Sequence, residues 1–450
     1  MAQIQSLVAA RMATYRDKLD QLARIPSVSW PSFDQSQVQA SAELVAALAR
    51  ESGVFDSVAI HREPTAAGDL GQPSVIARRE PKNGAKTVLL YAHHDVQPPG
   101  DETLWETPPF APTQNGDRLF GRGVADDKAG VISHFAALDI WSSVESNRDI
   151  GIVLFIEGEE EYGSPSFGAT LTAHKKALEA DVIVVADSGN WSTDIPALTV
   201  SLRGNATVKV TVQTLDHAVH SGMFGGAVPD AMIPLIRVLS RLHGPDGSVA
   251  VPGLRSRVSK VPEYSEIQLR EESGLLEGVS PIGRGDYLDR IWNQPSITVI
   301  GMDAPSTSES SNTLLPTASA MVSLRVAPGQ DAAEAESILC AFIEADVPFG
   351  ARITTESMGN GSAFEMEATH EVVDTIKAAM AAAWSVSPVD IGVGGSIPFI
   401  ADFVEEFPQA VVLVTGIEDP DTRAHSPNES LHLPSFEKAI VTEALFLMGL

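Results

Sequence analysis

His93 and Asp95 stand one residue apart where an apolar run, residues 86–91, meets the breakers Pro98, Pro99 and Gly100. Strand alternation sends both side chains to one face and His94 to the other. A carboxylate beside a metal-bound imidazole fixes its tautomer and raises its basicity. A second apolar run, 152–156, leads into Gly158-Glu159-Glu160-Glu161-Tyr162-Gly163. Charges leave water only when paired, hydrogen-bonded or bound to a metal, and glycine permits a tight turn. The chain therefore delivers two carboxylates to a defined point, one to bind a cation and its neighbour to handle a proton. Asp126 opens a helix after Gly121 and Gly123, Asp187 ends a strand over 181–186, and His425 lies within 423–429. Two histidines with several carboxylates suit zinc, manganese or cobalt. Two ions about 3.5–4 Å apart need a bridging ligand, which a carboxylate supplies. Taken singly these signals are weak: an acidic triplet is ordinarily a solvated turn, and adjacent acids at a helix start often serve only its dipole.

The elements that must position these groups alternate. Helical spacing covers 2–24 and 37–52, and a helix follows Asp126 to about Trp141. Strands at 86–91, 152–156 and 181–186, with a helix over 167–178, predict an α/β sheet. In such sheets ligands gather beyond the carboxyl ends of strands, where His93, Asp95, Glu160, Glu161 and Asp187 fall. From Ala197 the pattern changes. Strands at 198–203 and 206–213, the latter with Val208, Val210 and Val212 alternating against polar residues, precede a helix over 229–242. Residues 244–293 read as an insertion with little regular structure. Strands at 296–300 and 320–326 follow, then a helix capped by Asp331, and this region reads as a small α+β domain. The α/β pattern resumes with a helix over 370–384, a Gly-rich turn at 392–396, a strand over 410–415 and a helix from Ser435. The expected organisation is a two-domain α/β protein: residues 1–203 and 366–450 form a discontinuous catalytic domain, and 204–365 an inserted α+β domain. A chain of 450 residues is too long for one core.

Composition narrows the function. Thirty-one basic against 59 acidic residues give a formal charge of −28, which disfavours nucleic acid and anionic membranes as partners. Cys340 is the sole cysteine, so disulfide, CxxC and thiolate metal chemistry are excluded; it sits in a helical apolar pattern and reads as a core residue. No apolar run approaches a membrane span, and residues 1–20 lack the pattern of a signal peptide. A cytoplasmic location is expected.

The ordered motifs carry more. Tyr91-Ala92-His93-His94-Asp95-Val96-Gln97-Pro98, Gly121-Arg122-Gly123-Val124-Ala125-Asp126-Asp127-Lys128 and Glu157-Gly158-Glu159-Glu160-Glu161-Tyr162-Gly163-Ser164 are followed by Asp187-Ser188, His220-Ser221-Gly222, Gly394-Gly395-Ser396-Ile397-Pro398 and Ala424-His425-Ser426. This series resembles the co-catalytic zinc family of carnosinase-like dipeptidases, aminoacylases, succinyl-diaminopimelate desuccinylases and glutamate carboxypeptidases. The resemblance implies two divalent ions per chain, zinc foremost with manganese or cobalt as alternatives. It implies that His93 and Asp187 hold one ion, Glu161 and His425 the other, and that Asp126 bridges them. Asp95 would orient His93 and Glu160 would be the general base. Glu159 has no role in the family and reads as a solvated or turn residue.

The same resemblance assigns His220, on the inserted domain, to the scissile carbonyl, commonly across a dimer interface. It assigns Arg325 to a substrate carboxylate, a fit for a guanidinium fork, and Thr313 and Ser396 to neighbouring substrate contacts. Asp187 stands where the aminoacylases and carboxypeptidases of the family usually carry Glu, and Val96-Gln97-Pro98 looks like the carnosinase-like branch. The expected function is dipeptide hydrolysis by a homodimer whose inserted domain serves as lid and dimerisation element. The alternatives are an N-acyl-amino-acid hydrolase of aminoacylase or desuccinylase type, and an inactive metal-binding scaffold.

Overall fold

The computed structural model describes residues 1–144, 149–366, 369–395 and 398–450. The chain forms two compact units. The first comprises Met1–Val200, Met366–Ile391 and Asp402–Leu450; the second comprises Ser201–Glu365 with Gly392–Ala401.

The first unit is built on a sheet whose strands run in the order Ser57–His61, Ser74–Arg79, Gly151–Glu157, Thr87–His93, Val182–Val185, Val411–Val414 and Ala197–Leu202. From Gly151–Glu157 through Val411–Val414 neighbouring strands are parallel. Thr87–His93, Gly151–Glu157 and Val182–Val185 are buried at every position, which is why their sequences are near-continuous apolar runs. Because they are parallel, their carboxyl ends share one edge of the sheet. His93, the Glu159–Glu161 turn and Asp187 lie at or just beyond those ends.

Helices cover this sheet. Lys128–Val144 packs with Ala2–Ala23 and Leu433–Gly449. Phe167, on the helix Phe167–Leu178, stacks on Phe155 with ring centroids 5.6 Å apart. A small antiparallel sheet of Thr113–Asn115, Arg118–Phe120 and Ser430–His432 pairs Ser430 with Phe120. That pairing lays the segment carrying His425 beside the turn that carries Asp126.

The second unit holds an antiparallel sheet in the order Ser296–Asp303, Thr317–Val326, Gly204–Gln213, Arg352–Gly361. Val208, Val210 and Val212 are buried with Val322, Leu324 and Leu339, as their period-2 and helical spacings require. Asp331 caps Ala332–Glu344 by accepting the backbone N–H of Glu334 at 2.7 Å. Cys340 is partly buried against this core.

The fold class expected from the sequence is present, with local corrections. The 244–293 stretch is more regular than expected: it contains helices Glu266–Ser273, opened by a Ser265–Gln268 capping box, and Tyr287–Trp292. The first is polar with no buried residue, and the second is only six residues long, so neither shows apolar periodicity. Strands Ser57–His61, Ser74–Arg79 and Arg352–Gly361 and helix Pro398–Glu406 were also not foreseen. Arg352–Gly361 is a sheet edge, largely exposed and without a fully buried residue, so its alternation is weak. Among the described residues no helix is long and apolar enough to cross a membrane.

Candidate metal centre

The Asp126 carboxylate faces two histidines. One oxygen, Oδ1, lies 3.1 Å from His93 Nε2, and the other, Oδ2, lies 3.1 Å from His425 Nε2. Around this axis stand two groups whose ligand atoms approach within 4.8 Å of one another: His93 with Glu160 and Asp187, and Asp126 with Glu161 and His425. His93 Nε2 is 3.9 Å from Glu160 Oε2 and 4.0 Å from Asp187 Oδ1. His425 Nε2 is 3.2 Å from Glu161 Oε2.

Each group has a positioning device. His93 Nδ1 lies 3.2 Å from the Asp95 carbonyl oxygen and 3.4 Å from its carboxylate. An Nδ1–H donated there leaves the Nε2 lone pair facing Asp126. Asp95 Oδ1 accepts the backbone N–H of Glu160 at 3.1 Å, while Oδ2 accepts that of Glu161 at 3.2 Å and the Ser29 hydroxyl at 2.7 Å. Gln97 holds Glu161 through its backbone N–H at 3.1 Å and its side-chain amide at 2.7 Å. His94 points away, as alternation requires, with Nε2 2.8 Å from the Pro73 carbonyl; burial pushes it down to about 4, so it is neutral. Gly158 admits no side chain: a Cβ would lie 2.3 Å from the Pro73 carbonyl oxygen and 2.9 Å from the His94 ring.

The residues fit divalent cations. His93 Nε2 is fully buried and makes no hydrogen bond of acceptable geometry, as expected of a nitrogen directed at a metal. Burial and then the Asp187 charge raise Glu160 well above the usual carboxylate range. Burial and Asp126 raise Glu161, and burial pushes Asp187 up to about 7. Burial would lower His93, but Asp126 and Asp95 outweigh it and raise it strongly. Asp126 and Glu161 push His425 up to about 11. Asp126 goes the other way: burial opposes ionisation, yet the two imidazoles hold it well below the ordinary value. So many carboxylates at one point share too little positive charge, and cations supply it.

The surrounding acids do more than the sequence suggested. Glu159 is not a solvated turn residue. It is buried, accepts the Gln72 backbone N–H at 2.7 Å and the Ser166 backbone N–H at 2.8 Å, and takes the Ser166 hydroxyl as well. It fixes the turn from below and explains why a third acid is present. Glu429, to which sequence reasoning gave no role, is fully buried. It accepts Arg122 Nη1 at 2.7 Å and the backbone N–H groups of Gly123, Ala125 and Asp126 at 3.0, 3.1 and 3.2 Å. Asp127 Oδ2 accepts the His93 backbone N–H at 3.2 Å. The buried Lys128 ammonium donates to the carbonyls of Leu22 and Ile25. Only the charge of these positions signalled them in the sequence.

The remaining expected residues belong to the second unit. His220 is exposed, pairs with Thr313 in a two-stranded ribbon, and accepts the Gly222 N–H at 3.0 Å through Nδ1. Arg325 lies on Thr317–Val326, opposite Asn205 and Ser296 on the neighbouring strands. Arg203, left without a role by the sequence, donates to the Gly394 carbonyl at 2.9 Å and to Ser296 Oγ at 3.1 Å. Ser396 lies outside the described residues.

Acids and imidazoles converging at the carboxyl edge of a parallel sheet, around a carboxylate shared by two histidines, define a metal-dependent hydrolase of the α/β class. The model of peptidase family M20/M25/M40 matches residues 89–449, and the chain belongs to that family. It is 33% identical over 382 residues to cysteinylglycine-S-conjugate dipeptidase of Corynebacterium striatum, covering 83% of each chain. It is 27% identical over 452 residues to the Cys-Gly metallodipeptidase DUG1 of Saccharomyces cerevisiae, covering 96% of this chain and 94% of that one. The solved structure of the dipeptidase Dug1p from Saccharomyces cerevisiae shares the fold with a TM-score of 0.80 at 24% identity, over 100% of this chain and 98% of the other. Human carnosine dipeptidase 1 does so with a TM-score of 0.79 at 21% identity, over the same shares. The family resemblance expected from the motifs is thus borne out, and with it a metallopeptidase that uses divalent metal ions.

Proposed function

We propose that this chain hydrolyses the peptide bond of dipeptides at a centre of two zinc ions. The observation that carries the reading is the Asp126 carboxylate, set 3.1 Å from each of His93 and His425. His93 and Asp187 would hold one ion and Glu161 and His425 the other, with Asp126 available to both. Ions bound there supply Lewis acidity and lower the pKa of water. Glu160 takes the proton of the attacking water and returns it to the leaving amine. A carboxylate that burial and then the Asp187 charge raise well above the usual range is more basic than an ordinary one, as such a role needs. The dipeptide assignment is supported by relatives named for Cys-Gly, Cys-Gly S-conjugates and β-Ala-His.

His220 in this reading polarises the scissile carbonyl from a partner chain, Arg325 holds the substrate carboxylate, and Thr313 and Ser396 line the substrate. The second unit is then the lid and dimerisation element of a homodimer. Its exposed Met223, Ile233, Ile236, Ile300 and Met302 are apolar surface of the kind a partner covers. A reducing, cytoplasmic setting accords with the lone Cys340.

The test is turnover of Cys-Gly, β-Ala-His and a panel of N-acyl amino acids by zinc-loaded protein, with Glu160→Gln as control. Dipeptide cleavage that Glu160→Gln abolishes is expected. Cleavage of N-acyl amino acids alone would move the substrate to that class, and silence on both with metal bound would leave a scaffold. Mixed dimers carrying His220→Ala in one chain should lose about half of their sites; full activity in a proven monomer would remove the role across the interface.

A further inference from the structure

A third set of metal-ligating side chains shares no residue with the centre described above. His61 ends the edge strand Ser57–His61, and Glu63 follows two residues later. His174 comes from the helix Phe167–Leu178, and there the backbone leaves helical values, with φ −114° and ψ 18°. His174 Nε2 is 2.8 Å from Glu63 Oε1. The imidazoles of His61 and His174 have centroids 4.0 Å apart, tilted by 45°. One ligand atom from each of the three residues lies within 4.8 Å of the others, and all three side chains are half-buried. A hydrogen bond accounts for the approach of His174 to Glu63, but it gives no reason for a second imidazole to crowd the first.

We propose that His61, Glu63 and His174 form a third divalent-cation site of the zinc or cobalt type. Two imidazoles and one carboxylate are borderline ligands that suit these ions, and a tetrahedral ion would keep its fourth position for water. Ligand histidines must be neutral.

The site's place in the fold gives it a consequence. The ion ties the edge strand of the large sheet to the helix that follows the Glu159–Glu161 turn. That helix is already held at its start, where Ser166 donates to Glu159. On the strand side, the Glu63 carbonyl accepts Gly71 N–H at 2.8 Å, and the next residue, Gln72, donates to Glu159. A cation between His61, Glu63 and His174 would therefore brace both supports of Glu159. Its role is to stiffen, away from the reacting atoms.

The test is cobalt and zinc stoichiometry of the intact protein, wild type against His61→Gln and His174→Gln, with the Glu63→Gln variant as a gentler change. Each variant should bind one equivalent fewer than wild type, keep dipeptidase kcat within about threefold, and lose a part of the metal-dependent rise in Tm. Nickel added to wild type should broaden the imidazole NMR signals of both His61 and His174. Equal stoichiometry in wild type and variants, or broadening confined to the imidazoles of His93 and His425, would overturn the proposal. The quantity read is the difference between wild type and variant. A failure of the two-zinc reading would change both totals and leave that difference intact.

Discussion

The carboxylate of Asp95 accepts the backbone N–H of Glu160 at 3.1 Å while the same residue's carbonyl meets His93 Nδ1 at 3.2 Å. One residue thus sets an imidazole of the candidate centre and the turn that carries the proposed base. Asp95→Asn keeps the shape but places an amide donor against N–H groups or against Ser29. Loss of such a supporting partner ordinarily costs about 10–100-fold in activity or metal affinity. The expected outcome is a fall of that size in kcat, with KM little changed, in protein that still binds its full zinc complement. Steady-state kinetics beside metal analysis checks it. A fall in zinc content that accounts for all lost activity would show that Asp95 acts on His93 alone.

Glu429 joins Arg122 to three consecutive-turn N–H groups without exposure to water. Glu429→Gln leaves a buried guanidinium without its counter-charge, and breaking a buried pair from one side typically costs about 3–5 kcal/mol. Urea unfolding should show a loss of that order, and the zinc affinity should fall because Asp126 is held through its own N–H. Wild-type stability in Glu429→Gln would show that water reaches Arg122 in the folded state.

The candidate metal centre is more legible in the sequence than the parts that hold it. His93, Asp126, Glu161, Asp187 and His425 announce themselves because acids and histidines at the ends of apolar strands need a reason to be there. Glu159 did not: its burial depends on Gln72 and Ser166, and spacing alone cannot tell a buried acceptor from a solvated acid. Glu429 reaches Arg122 from more than three hundred residues away, a pairing that no local pattern encodes. The central strands read clearly because parallel strands are apolar on both faces. The exposed edge strand Arg352–Gly361 and the polar helix Glu266–Ser273 carried no such pattern. The cluster of His61, Glu63 and His174 went unread because it joins a strand not foreseen to a helix whose backbone departs from regularity at the residue concerned.

Removal of the metal should destabilise the first unit as well as stop turnover. Glu160, Glu161, Asp187 and Asp126 are crowded around two imidazoles, and without cations their repulsion is relieved only by taking up protons. A ligand at 100 times its dissociation constant stabilises the folded state by about 2.7 kcal/mol per site. Calorimetry should record a Tm several degrees lower in chelated protein, restored by zinc. An unchanged Tm in protein shown to be metal-free would contradict the ligand assignment.

The pH dependence of stability should carry a signature of His134. Its Nδ1 is 2.8 Å from Glu443 Oε1 and its Nε2 is 3.0 Å from the Tyr91 carbonyl oxygen. Two accepting partners favour the imidazolium, which donates from both nitrogens. Burial lowers its pKa, but Glu443 outweighs burial and raises it above the ordinary value, which is about 6.5. A folded-state pKa above the unfolded one makes a contribution that is fully present below pH about 6.5 and fades as pH climbs through the raised value. His134→Gln removes that contribution. Urea unfolding of wild type and His134→Gln should therefore differ most below pH about 6.5 and converge as the pH climbs above it, with the wild type losing the excess. A gap that stays constant over this range would mean that His134 is neutral in the folded protein.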